Sequence, residues 1–181
     1  MSYVILFLLF LVGLLVLPLQ SFAQGSLTDL DAKNGFRNVK FGVLRSTFKD
    51  LVSTDADPNE KSDWKNYERR SDSKTLGDIP LDYISYKFYK NYLIQISLQS
   101  KGHFEEIFET ITQAYGKHSE IKKFTYNDFE YTEYYWKGAK ATIRLLRGPE
   151  YMSLEFRTNT DTDYFDRIDN QIKMQKRLKG L

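Results

Sequence analysis

His103 and His118 are the two imidazoles of the 181-residue chain and the first side chains to weigh as general bases. They flank a segment with helical apolar spacing, so 15 residues at ~1.5 Å each hold them about 22 Å apart along its axis. They cannot serve one reaction centre. Glu105, Glu106 and Glu109 fall on or near the side of that helix away from its apolar stripe, where solvated carboxylates are the ordinary case. Asp161 and Asp163 precede the last helical pattern and suit its N-terminus. With no cysteine there is no thiol nucleophile, disulfide framework or sulfur-based zinc site. Ser-x-x-Lys, Gly-x-Ser-x-Gly, His-Glu-x-x-His and the phosphate loop are all missing. The expectation is a protein that is not an enzyme and holds no cofactor and no metal.

The residues suited to binding are aromatic. Phe and Tyr number 13 each and Trp 2, a composition that favours pleated, half-buried surfaces. In the last third of the chain, alternation sends Tyr131, Glu133 and Tyr135 outward beside Thr142, Arg144 and Leu146, with Tyr151, Ser153 and Glu155 next. Tyr and Arg are enriched at binding hot spots, so Tyr131, Tyr135, Arg144, Leu146 and Tyr151 form the candidate partner surface, with Tyr131, Leu146 and Tyr151 in one row. A glycan or small-ligand site using the tyrosines and Trp64 as stacking platforms is the alternative.

An α+β domain must position these side chains. Residues 36–41 read as a short strand ended by Gly42, and Leu44, Phe48, Leu51 and Val52 recur at helical spacing. Residues 53–78 are polar and read mostly as loop, with Trp64 and Tyr67 as pins for a short strand. Residues 81–99 alternate as a hairpin. A three-residue loop Tyr89-Lys90-Asn91, with Asn91 left-handed, pairs Phe88 with Tyr92, Tyr86 with Ile94 and Ile84 with Ile96. A helix follows on Phe104, Ile107, Phe108, Ile111, Ala114 and Tyr115, capped by Gly102 and stopped by Gly116. Residues 124–157 read as three antiparallel strands. A Gly138-Ala139 turn pairs Trp136 with Ala141 and Glu133 with Arg144, and the turn at 147–150 pairs Leu145 with Met152. Residues 161–179 form a last helix with Phe165, Ile168, Ile172 and Leu178 inward and a basic end. The order β-α-ββ-α-βββ-α implies an antiparallel sheet with helices on one face.

Gly35-Phe-Arg-Asn-Val-Lys-Phe-Gly42 running into a helix, Tyr86-Lys-Phe-Tyr-Lys-Asn-Tyr-Leu93, and a helix ending Ala114-Tyr-Gly-Lys117 resemble small exported bacterial domains of the BamE-like class. That class shares its helix-on-sheet layout with the β-lactamase inhibitor proteins. The resemblance spans residues 35–157 and implies an envelope location with adaptor or inhibitor roles. Asn91 stands where the class has glycine, and the lipid-bearing cysteine of the outer-membrane assembly protein is absent.

Residues 4–19 carry no charged side chain, and Pro18, Ser21 and Ala23 follow as in a secretory signal cut between Ala23 and Gln24. Residues 24–181 are then one periplasmic or secreted domain with no membrane span. The alternative is a short uncleaved anchor helix. A net charge of +2 is too small to draw a nucleic acid, which leaves an envelope or extracellular protein as the expected partner.

Overall fold

The computed structural model describes residues 25–57 and 61–179. The apolar lead and the Ala23/Gln24 junction lie outside them. Helix α1 spans Leu27–Lys33 and was not expected from the sequence. Its start is written in a capping box, in which the Ser26 amide and hydroxyl both donate to the Asp29 carboxylate at 2.7 and 2.9 Å. Strands β1 (Gly35–Phe36) and β2 (Val39–Lys40) make a minimal hairpin in place of the single strand expected there.

The helix expected over 44–52 does not form. A 3-10 turn occupies Arg45–Thr47, and strand β3 (Leu51–Ser53) pairs with β4 (Trp64–Arg69). Phe48 still reaches the core, packing at 6.0 Å from Tyr86 and 5.8 Å from Phe88 between ring centroids. Of the four apolar residues at helical spacing, Phe48 and Leu51 thus anchor an extended segment, while Leu44 and Val52 are exposed. The polar stretch 53–78 is also more ordered than a loop, for β4 joins the main sheet, and β5 (Thr75–Leu76) and β6 (Ile79–Pro80) form a small hairpin.

Next come β7 (Tyr83–Tyr89), β8 (Tyr92–Ser100), α2 (Phe104–Tyr115), β9 (Glu120–Tyr126), β10 (Phe129–Lys137), β11 (Ala141–Arg147), β12 (Met152–Thr158) and α3 (Thr162–Lys179). The result is an α+β fold built mainly on one eight-stranded antiparallel sheet of order β3-β4-β7-β8-β12-β11-β10-β9. Helix α2 carries the chain from β8 in the middle to β9 at the edge, and the last four strands return to close on β8.

Tyr86, Phe88, Leu93, Ile96, Leu98, Trp136, Ile143, Leu145, Leu154 and Phe156 form the main buried cluster with Leu30 of α1 and Ile107, Ile111 and Tyr115 of α2. Phe104 and Phe108 are half-buried against it, whereas Ala114, expected in the same stripe, is exposed. The cap of α2 is His103 in a left-handed conformation (φ 54°) rather than Gly102. Gly116 ends the helix at φ 82°, and a Cβ there would meet the Gly25 carbonyl oxygen at 2.8 Å, so both torsion and space call for glycine.

The registers differ from expectation, by one residue beside the β7–β8 turn, where Phe88 faces Leu93 rather than Tyr92, and by two elsewhere. The β7–β8 loop holds two residues, Lys90 and Asn91, with Lys90 rather than Asn91 left-handed. A bulge at Lys87/Phe88 then sets Tyr86 against Ile96 and Ile84 against Leu98. Trp136 faces Ile143, not Ala141, and Arg147 rather than Leu145 faces Met152. A two-residue slip leaves side chains on their intended faces, because the pleat repeats every two residues, but the one-residue shift beside the turn does not: Leu93 joins the main core with Phe88, whereas Tyr92 and Ile94, expected there, pack with Phe165.

Helix α3 buries Phe165 against Tyr89 and Tyr92, with Ile168 half-buried beside them. Ile172 and Leu178, expected inward, are exposed, as is the whole of 171–179.

Candidate functional site

The outer face of β9–β12 carries two neighbouring surfaces of opposite character. The first is ionic. Arg144 donates from Nη1 to Glu133 Oε1 and from Nη2 to Glu155 Oε1, each at 2.9 Å. The Tyr135 hydroxyl donates to the other Glu133 oxygen at 2.5 Å. Tyr135 sits opposite Arg144 while Glu133 sits opposite Leu146, so the Glu133–Arg144 pair is diagonal rather than directly opposed. Lys122 and Lys137 lie 5.1 and 5.2 Å from the Tyr135 ring centroid, and both also pair with Glu120. Burial, then the bond to the Glu133 carboxylate, pushes the Tyr135 phenol up. Tyr135 and Arg144 are therefore committed to neighbours within their own sheet.

The second surface is aromatic and sits at the tip of the β9–β10 hairpin. The register pairs Tyr126 with Phe129 and Phe124 with Tyr131. These four rings share the face of Glu133 and Tyr135, since the residues alternate along β10. Phe124 and Tyr131 stack at 5.3 Å with planes 10° apart. Phe124 is 44%, Tyr126 63% and Phe129 53% exposed, so apolar ring surface meets water where a hairpin tip would ordinarily be polar.

Asn127 and Asp128 make this tip. Both are left-handed, at φ 48° and 64°, as a two-residue turn of mirror-image type requires and as Asn and Asp tolerate. The Asn-Asp pair between Tyr126 and Phe129 was a readable hairpin signal, and it splits the expected three strands into four.

Of the five residues expected to form a partner surface, Tyr131 lies in this aromatic patch. Tyr151 is 43% exposed in the β11–β12 turn, where its backbone and the Tyr131 ring both border Gly148. Leu146 stands between Glu133 and Ser153, half-buried, so the row Tyr131–Leu146–Tyr151 is not formed. Tyr135 is buried and Arg144 is held in the ionic network. Phe124, Tyr126 and Phe129 were missed. Trp64 lies on β4, separated from this hairpin by four strands, and packs 4.8 Å from Tyr89 under the Lys87 ammonium.

His118 is half-buried among Phe108, Tyr134 and Trp136 at 5.8, 5.4 and 6.0 Å, rather than solvated at the helix end. Burial, then the Lys117 charge, lowers its pKa and favours neutral imidazole. His103 is exposed, 3.3 Å from Glu106 Oε1. Asp161 accepts from the Asp163 amide at 3.2 Å at the start of α3, the N-terminal role its position suggested. Asp31 of α1 reaches the β10–β11 turn and accepts from the amides of Ala139, Lys140 and Ala141 at 2.7, 2.7 and 3.2 Å. Partial burial pushes its carboxyl up, but those amides outweigh the burial and leave it below the usual carboxylate value.

Among the described residues no group of three or more His, Asp or Glu side chains could hold a metal ion, and no helix is long and apolar enough to cross a membrane. No family model, curated protein or solved structure matches the chain.

Proposed function

We propose that this chain is a non-catalytic interaction module of the bacterial cell envelope that holds a protein partner on the outer face of its β9–β10 hairpin. The observation that carries the reading is the two cross-strand aromatic pairs, Phe124 with Tyr131 and Tyr126 with Phe129, held in water beside an ionic network. Aromatic rings on a rigid hairpin give large contact area for little side-chain entropy, and a charged surround sets orientation. The reading takes α1 and α2 as covering the inner face, which leaves the outer face of the last four strands to the partner. β9 also ends the strand order, so its far edge can accept an extended segment; Lys122 and Lys123 along it discourage a second copy from pairing there. Export rests on the uncharged run at residues 4–19 and on the resemblance to exported envelope domains.

The test uses wild type and the Tyr126→Ser/Phe129→Ser variant as baits in envelope extracts, with captured proteins identified by mass spectrometry. A partner held by wild type and lost by the variant supports the reading. A partner held equally by both removes the hairpin from the interface.

A further inference from the structure

A cleft of ≈ 640 Å³ lies where the first turns of α3 meet the 34–43 segment and the end of β12, away from the β9–β10 hairpin. Its walls are the side chains of Phe41, Val43, Tyr92, Tyr164, Phe165 and Ile168. Phe41, Tyr92 and Phe165 are nearly fully buried, whereas Tyr164 is 47% exposed and stands at the mouth. Gly42 also lines the cleft at φ +80°, and a Cβ placed on it would meet only Phe165 Cε1 at 3.9 Å, so the lining is left open there.

The polar lining is sparse and of one sign. Lys40 is its cation, no carboxylate lines the cleft, and Lys40 makes no ion pair with the described residues. Thr158 and Thr160 bond to each other, and the Asn34 side-chain oxygen is buried without a partner. A sugar ring would set several hydroxyls against Val43, Ile168 and Phe165, more than the few polar groups of the lining can satisfy. A cation would find no carboxylate in the lining. A flat apolar ring matches the half-exposed Tyr164 ring, and a carboxylate matches the lone ammonium of a lining that also carries two hydroxyls. The volume falls in the range typical of small-molecule sites.

Tyr92 and Phe165 already stack on each other at 5.1 Å, which leaves the half-exposed Tyr164 ring as the free aromatic face. We infer that this cleft binds a small aromatic carboxylic acid, its ring against Tyr164 and its carboxylate at Lys40. The site shares no residue with the aromatic hairpin and stands or falls independently of it.

The experiment titrates the full chain, followed by ¹H–¹⁵N spectra, with indole-3-acetate, indole-3-acetamide and N,N′-diacetylchitobiose. The expected result is saturable shifts at Gly42, Tyr92 and Thr160 with the acid, at a Kd below ~1 mM. The uncharged amide should bind about tenfold more weakly, as befits the loss of one charge-assisted hydrogen bond. Lys40→Gln, at an exposed site, should reduce the acid to the affinity of the amide while leaving the rest of the spectrum in place. Ile168→Trp should block both. Equal affinities of acid and amide, saturable binding of the disaccharide in the cleft, or no saturable shifts with the acid would each overturn the inference.

Discussion

Removing Arg144 separates a structural clamp from a docking residue. Arg144→Met deletes two charge-assisted bonds of 2.9 Å and leaves the Glu133 and Glu155 carboxylates facing the gap. In a fully buried site, taking one member from such a group costs ~3–5 kcal/mol. Here the Arg144 side chain is 30% exposed and those of Glu133 and Glu155 10% and 19%, so water recovers part of the loss. The expected destabilisation is about 2–3 kcal/mol at pH 7, below the buried limit and above the ~0–1 kcal/mol of an exposed pair. Arg144→Met/Glu133→Gln/Glu155→Gln removes the charges together and should return to within ~1 kcal/mol of wild type, since no carboxylate is then stranded. Urea denaturation followed by far-UV circular dichroism measures both, provided the m-value is unchanged. A single variant within ~0.5 kcal/mol of wild type, or a triple variant as unstable as the single, would refute the clamp.

Tyr126→Ser/Phe129→Ser should cost at most about 1 kcal/mol, because both rings are more than half exposed, so loss of a partner cannot be blamed on unfolding; thermal melts check this. Trp136→Phe removes two fully buried carbons, worth ~0.8 kcal/mol each, and strands the Gly116 carbonyl that the indole N–H reaches at 2.8 Å, which adds ~1–3 kcal/mol. A loss of about 3–4 kcal/mol by urea titration is expected, and less than ~1 kcal/mol would mean that the bond contributes nothing. The Ser71 hydroxyl and amide, then Arg69, hold the Asp50 carboxyl down from 3.8 to about 2. The unfolded chain therefore takes up this proton first, so the contribution is complete above 3.8 and is lost as pH falls toward about 2. Asp31 acts in the same direction. Asp50→Asn should flatten the stability–pH profile in that window, read as urea midpoints from pH 5 to 2.

Periodicity alone determined the faces of β7, of β8 from Ile96 onward and of β10–β12, and the span of α2, because a period of 2 or 3.6 residues is a local property of the chain; the bulge put Tyr92 and Ile94 on the other face. Periodicity placed Ile107 and Ile111 inside, and Arg144 and Tyr131 on the outer face. The Asn127-Asp128 turn and the Ser26/Asp29 capping box were legible too, but short flanking patterns hid them. Tertiary structure decided what periodicity leaves degenerate. Pairings two residues apart bury the same face, so register came from turn geometry: Asp31, 108 residues away from Ala139, gathers the turn amides that seat Trp136 against Ile143. Leu44, Phe48 and Leu51 suit a helix or an anchored extended segment equally well, and pairing of 51–53 with β4 settled the matter. Exposure was not written locally either. Whether an outward Tyr is free, like Tyr126, or locked, like Tyr135, depends on which charges neighbouring strands bring beside it, and that is set only when the sheet assembles.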